Sequence, residues 1–159
     1  MRNNKIKIVV DTNVFINSMI FPKKHKKDLK AMKILFDLVE VDKVELVFSQ
    51  DTIGELIYNM KNKILHNIKE MNEQIISINT IADMFLYSYS VNTLSTATEK
   101  CKDPRDDMFI ECGVEGRADY IITNDYESGM FAITQYNFKV LNCDEFIEIF
   151  GDKDEVALD

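Results

Sequence analysis

Residues 101–125, CKDPRDDMFIECGVEGRADYIITND, hold in one run a turn, a helix, a strand and an acid directly behind the strand. Lys102-Asp103-Pro104 reads as a turn, because proline presets its own φ and pushes the residue before it out of the helical region. From about Arg105 to Glu115 the apolar residues recur at helical spacing. Asp106 aligns with Phe109, Ile110 and Gly113, and Asp107 with Ile110 and Val114. Tyr120–Thr123 is a short, largely β-branched run of the kind that forms a buried strand.

The same alternation continues outward in both directions. Lys5–Val10 reads as a first buried strand, Thr12–Met19 as a helix, and FPKKHKK at 21–27 as a proline-containing basic loop. Asp28–Val41 has Leu29, Met32, Leu35, Phe36 and Val39 on one helical face, and Val44–Phe48 is a second strand. Ser49 or Asp51 can cap the next helix, which turns Ile53, Leu56, Ile57, Met60 and Ile64 inward. A further helix is expected from about Ile68 to Tyr87, then a short strand at Ser90–Leu94. After the acid come a loop at Asn124–Gly129, a last strand at Phe138–Leu141 and an amphipathic helix at Cys143–Phe150. Strands alternating with helices imply an open, mainly parallel α/β sheet. One domain is expected over residues 1–150, followed by an acidic, frayed tail at 151–159, GDKDEVALD.

The chain has 159 residues, of which 46% are apolar, enough for one domain with a sizeable core. Tryptophan is absent and there are two prolines, which sets aside low-complexity or disordered classes. The apolar run at Ile8–Val10 is too short for a signal peptide, and no segment approaches the ~20 apolar residues of a membrane helix. A soluble, cytoplasmic protein with no membrane partner is the expectation. Three cysteines without close pairing argue for reduced thiols, and no Cys/His spacing suggests structural zinc. His25 and His66 read as solvated residues. The net charge of −8 argues against broad attraction to nucleic acid. It leaves room for a local basic patch, for carboxylates masked by metal, and for a basic protein partner.

In open parallel sheets, ligands bind beyond the carboxyl ends of the strands. Asp11 directly follows the first strand, Asp125 follows IIT, Asp106 and Asp107 open the helix before that strand, and Glu55 lies one turn into the helix after the second strand. Taken singly, each has an ordinary explanation as a helix cap, a turn former or a complement to the helix dipole. Their coincidence on one edge of the sheet is what points to function. Gathered carboxylates repel one another unless a cation sits between them. A hard divalent cation such as Mg²⁺ or Mn²⁺ takes oxygen ligands and keeps positions open for water and phosphate. No histidine nucleophile or phosphate-cradling glycine loop suggests other chemistry. Helical phase leaves open whether Asp106 or Asp107 belongs to the group.

VVDTNVFINSM, SQDTIGEL and the long 101–125 segment together resemble the PIN-domain family, in motif order from about Lys7 to Leu141. The likeness is greatest to bacterial and archaeal PIN proteins that act as toxin components of toxin–antitoxin systems. The resemblance implies a three-layer α/β/α fold and a Mg²⁺- or Mn²⁺-dependent endoribonuclease. Asp11 matches the first metal ligand, Glu55 the acid on the third helix, Asp106 the acid opening the later helix, and Asp125 the last acid. Asp107 stands where such sequences carry Asn or Asp, and it remains a second metal candidate. Asn13 and Thr123 match small polar residues that support the site. The implied partners are an RNA substrate, an antitoxin protein, and a second copy of the chain in a homodimer or higher oligomer. Two features depart from the pattern: Gly113, where alanine is usual, and the sequence DYESGMF after the last acid.

Lys23, Lys24, Lys26 and Lys27, with Lys30, follow the first helix and are candidates for holding an RNA backbone. Phe85, Tyr87 and Tyr89 read as core or dimer contacts. Competing classes are a non-toxin RNA-processing nuclease and a non-catalytic binding module with this fold. A haloacid-dehalogenase-like phosphatase would want a second aspartate where Asn13 stands. A response-regulator receiver would want an acidic pair after the first strand and a lysine near Asn124-Asp125.

Overall fold

The computed structural model describes residues 4–152. The chain runs β1 (Ile6–Val10), α1 (Thr12–Ile20), α2 (Lys26–Glu40), β2 (Val44–Ser49), α3 (Gln50–Asn67), α4 (Met71–Leu86) and β3 (Tyr89–Val91). A 3-10 turn (Pro104–Asp106) then leads into α5 (Asp107–Glu115), β4 (Tyr120–Ile122), a second 3-10 turn (Met130–Ala132), β5 (Lys139–Leu141) and α6 (Cys143–Phe150). The strands form one sheet in the order β3-β2-β1-β4-β5, and all four pairings are parallel. The chain thus lays β2 and β3 on one side of β1 and returns to the other side for β4 and β5. The order reverses between β1 and β4, which is the crevice where open parallel sheets take their ligands.

Side chains alternate across each strand and so build two cores. Ile8, Val10, Leu46, Phe48 and Ile122 pack on one side with buried residues of α1, α2, α3 and α6. Val9, Val47 and Ile121 pack on the other with Phe109, Ile110 and Cys112 of α5. Ile8–Val10 of β1 and Leu46–Phe48 of β2 are covered on both faces, which is why they read as continuous apolar runs. The result is a three-layer α/β/α architecture. α5 lies very close to the sheet: a Cβ on Gly113 would stand 3.0 Å from Ile121 Cδ1 and 3.2 Å from Phe138 Cδ1. That close approach accounts for glycine at this position.

Several boundaries differ from expectation. α2 begins at Lys26, not Asp28, because the His25 carbonyl already accepts from the Leu29 amide at 3.0 Å and closes a turn. Lys26 and Lys27 are therefore helical rather than part of a loop. β3 stops at Val91, opposite Ser49, and the Thr93 amide bonds to Gln50 Oε1 at 3.1 Å instead of continuing a ladder. The expected first turn of α5 is a 3-10 turn, so the α-helix starts at Asp107. Ile57 is 47% exposed: Ile53, Leu56, Met60 and Ile64 form the buried stripe of α3, and Ile57 falls on its flank. Phe85 packs edge-on against Phe48, and Tyr89 lies under the Lys7 ammonium, while Tyr87 is largely exposed. Residues 153–159 of the expected tail lie outside the described residues. No described helix is long and apolar enough to cross a membrane.

Candidate active site

β1 and β4 end side by side, with Val10 opposite Ile122 and the Asp11 amide bonded to the Ile122 carbonyl at 2.9 Å. Asp11 is buried, and each of its carboxylate oxygens accepts one protein hydrogen bond. Oδ1 caps α1 by accepting from the Asn13 amide at 3.2 Å, and Oδ2 accepts from the Thr123 hydroxyl at 2.7 Å. The same Thr123 oxygen accepts from the Asp125 amide at 3.0 Å. Thr123, 0% exposed, is thus the rivet between the first and last acids. Asp125 turns its own loop: Oδ1 accepts from the Glu127 and Ser128 amides at 3.0 and 3.1 Å. The side chain of Asn13 is exposed, and with Asp11, Asn17, Asn124 and Asp125 the residue lines a cleft of ≈ 240 Å³.

α3 brings the third carboxylate. Ser49 and Thr52 form a capping box at its start, and Glu55 follows on the next turn. Thr12, the neighbour of Asp11, donates its hydroxyl to Glu55 Oε2 at 2.6 Å. The two aspartates at the head of α5 part company. Asp107 turns toward the α5 layer, where Oδ1 accepts from the Cys101 amide at 2.6 Å and Oδ2 stands 3.9 Å from Lys100 Nζ. Asp106 closes the 3-10 turn and makes no side-chain cap to α5. Its carboxyl is pushed up to about 6, chiefly by burial and then by the charges of Asp11, Asp103, Asp125 and Glu55. Asp11 is also raised from the ordinary carboxylate range. Burial is the largest cause and outweighs its two hydrogen bonds, with Glu55 and Asp125 adding to the rise.

The charges of Glu55 and Asp125 thus reach both Asp11 and Asp106 across the carboxyl edge, while Asp107 is engaged with Cys101 and Lys100. Among the described residues, no three of these acids stand close enough to encircle an ion by themselves. The donor set nevertheless suits a hard cation, which is bound through one or two carboxylates with water and phosphate filling the other positions. Asp106, Glu55 Oε1 and Asp125 Oδ2 accept no protein hydrogen bond among the described residues. Carboxylates that are crowded, partly desolvated and left with free oxygens are the arrangement that a cation stabilises.

Two supporting features escaped the sequence. Asp28 is buried and accepts from Asn17 Nδ2 and Asn124 Nδ2, each at 3.0 Å. It fastens the start of α2 beside the loop that carries Asp125. In the sequence it is an ordinary first-turn acid, and nothing local signals its burial. Thr12 could have been suspected from its place next to Asp11. Through Asp28, Lys26 and Lys27 come to the rim of the carboxyl edge, where Lys27 Nζ pairs with Asp144 Oδ2 at 2.9 Å. Lys23 and Lys24 are exposed on the preceding turn.

Comparison with known proteins bears on the family and the fold. The PIN domain family model matches residues 7–127. An uncharacterized protein of Methanocaldococcus jannaschii is 30% identical over 157 residues, which covers 94% of this chain and 95% of that protein. Among solved structures, VapBC2 from Rickettsia felis, bound to a DNA fragment from its promoter, superposes with a TM-score of 0.51 at 12% identity. That match covers 86% of this chain and 98% of the other, and it supports the fold alone.

Proposed function

The chain belongs to the PIN-domain family, and from that premise we propose that it is a Mg²⁺- or Mn²⁺-dependent endoribonuclease, the toxin of a toxin–antitoxin pair. What supports this reading is that four acids from four separate segments lie along the carboxyl edge around the sheet's switch point, three of them with oxygens that accept no protein hydrogen bond among the described residues. Asp11, Asp106 and Asp125 would hold the cation, one or two of them directly and the others through its bound water. When bound, it supplies an activated water and offsets the charge that builds on the phosphate oxygens. Thr123 keeps Asp11 and Asp125 in register, and Asn13 supports Asp11 through its amide. Glu55, steadied by Thr12, keeps one oxygen available to take a proton from the attacking water. Lys23, Lys24, Lys26 and Lys27 would hold the RNA backbone at the rim, a contact indifferent to sequence. RNA as substrate follows from the motif resemblance.

The toxin role is supported by a second surface. α4 buries only Ile81 and leaves Ile75, Ile76 and Leu86 exposed. A groove of ≈ 260 Å³ lies beside it, lined by Phe36, Val39, Leu46, Met84 and Tyr87, with Glu40 and Asp83 among them. An antitoxin segment with apolar side chains flanked by lysine or arginine fits that groove and the −8 charge of the chain. A small DNA-binding protein encoded next to this gene is expected, and its co-expression should yield a complex.

The decisive experiment incubates the purified protein with mixed RNAs in Mg²⁺, Mn²⁺ or excess EDTA, beside Asp11→Asn. Cleavage is expected with either cation, and none with chelator or with the variant, which should still melt cooperatively. Undiminished cleavage in EDTA would sink the reading.

A further inference from the structure

Tyr126 follows Asp125 directly, within the stretch that departs from the usual family sequence. It is 66% exposed, but it is not a loose surface ring. Its face stacks on Phe131 with centroids 4.9 Å apart and 11° between planes. Its hydroxyl accepts from Asn142 Nδ2 at 2.7 Å. Asn142 is itself fixed as the cap of α6, accepting from the Glu145 amide at 2.8 Å. Phe131 sits in the 3-10 turn beside Met130, which is 0% exposed. The loop between them is pinned by the bonds from Glu127 and Ser128 to Asp125. One face of the ring is thus backed by Phe131, the polar tip is clamped, and the other face is open.

We propose that Tyr126 is a base-stacking platform, which makes an unpaired nucleotide beside the scissile phosphate the feature that this site selects. The inference rests on the nuclease reading of the neighbouring acids. A fixed aromatic face costs little conformational entropy when it takes up a ligand. Stacking serves any base, because every base has a π-face. Bases in a duplex are already stacked on one another, so only a splayed or single-stranded nucleotide can use the ring. A base on Tyr126 belongs to a nucleotide next to Asp125, since the two residues are adjacent in the chain. Lys27 pairs with Asp144, two residues beyond the Asn142 clamp, and so brings to the neighbourhood of the ring a cation of the kind that tracks the backbone in single-strand sites. Neither Tyr89, which is covered by Lys7, nor Phe85, which packs on Phe48, offers this combination.

The test exploits the absence of tryptophan from the chain. Tyr126→Trp installs a single reporter at the platform. A short single-stranded RNA, its annealed duplex and an abasic version are titrated in excess EDTA, so that the RNA stays whole. Single-stranded RNA should quench the tryptophan emission. Tyr126→Trp should bind it at least as tightly as wild type, and Tyr126→Ala about tenfold more weakly, the scale of one lost base–aromatic stack. The duplex and the abasic strand should not distinguish wild type from Tyr126→Ala. A loss under twofold for Tyr126→Ala, an unmoved emission at saturating RNA, or no binding of single-stranded RNA by wild type overturns the platform. Cleavage by wild type in Mg²⁺ alongside an indifferent Tyr126 leaves the nuclease and removes the platform. Quenching and tight binding without cleavage in either cation supports the platform and removes the nuclease.

Discussion

At Asp11 burial and hydrogen bonding work against each other. The Thr123 hydroxyl and the Asn13 amide favour the charged form, and burial together with Glu55 and Asp125 disfavours it; burial prevails. The same opposition at Asp106 lacks the hydrogen bonds, and its carboxyl is pushed up to about 6. The folded chain therefore binds more protons than the unfolded one between the ordinary aspartate value of 3.8 and about 6. This contribution to stability is fully present below the lower value and is lost as pH rises through the higher one. At pH 7.5 without metal, the charge on Asp106 works against folding. Asp106→Asn should then raise the melting temperature in EDTA while lowering cleavage in Mg²⁺ at least about 100-fold, the upper end of what lost supporting partners cost at metal sites. Asp107→Asn should behave the other way. It weakens the 2.6 Å bond from the Cys101 amide and the pairing with Lys100, so it should cost about 1 kcal/mol and slow cleavage far less. Paired melting and cleavage assays on the two variants decide the matter; retained cleavage by Asp106→Asn and its loss in Asp107→Asn would reverse the assignment.

Strand-to-helix junctions do most of the positioning. Asp11 caps α1, the Ser49/Thr52 pair caps α3, and the Asn142/Glu145 pair caps α6, all at the carboxyl edge. Each cap fixes the direction in which its helix leaves the sheet, and with it the side chains of the first two turns. Ser49→Ala removes the acceptor for the Thr52 amide at 3.1 Å and should cost about 1 kcal/mol, read as a lower urea midpoint with an unchanged slope. A change of a few tenths or less would mean that packing of Ile53 and Leu56 alone sets the start of α3. Elements of this kind were legible in the sequence because strands, caps and trailing acids leave local signatures. The direction of an adjacent pair does not. Asp106 and Asp107 are about 100° apart on a helix, and which one is tied to Cys101 and Lys100 depends on the 3-10 turn at Pro104–Asp106 that precedes α5. Asp28 was illegible for a similar reason: its partners Asn17 and Asn124 lie on α1 and in the loop after β4, and only tertiary packing brings the three together. Ile57 carried a helical phase that fits the core, but it sits where α3 borders an open groove beside Ile81, Phe85 and Leu86.

Across the whole molecule, the three thiols report on both layers at once. Cys143 belongs to the core shared by α1, α2, α3 and α6, while Cys101 and Cys112 belong to the core under α5. All three are free and buried. Burial is the largest cause pushing Cys101 up to about 12, Cys112 to about 11 and Cys143 to about 12. The folded chain thus holds these protons more tightly than the unfolded chain, whose thiols ionise near the ordinary value of 9.0. Their contribution is complete below that value and is lost as pH climbs toward the folded values, so stability should fall progressively above pH 9. At pH 8 a disulfide reagent should label none of them in the native protein, because the reacting species is the exposed thiolate. The two cores share one sheet, so opening either should expose both. In moderate urea all three thiols should then label in a single kinetic phase whose rate follows global unfolding. A separate faster phase confined to Cys101 and Cys112 would show instead that the α5 layer, which carries Asp106, opens on its own.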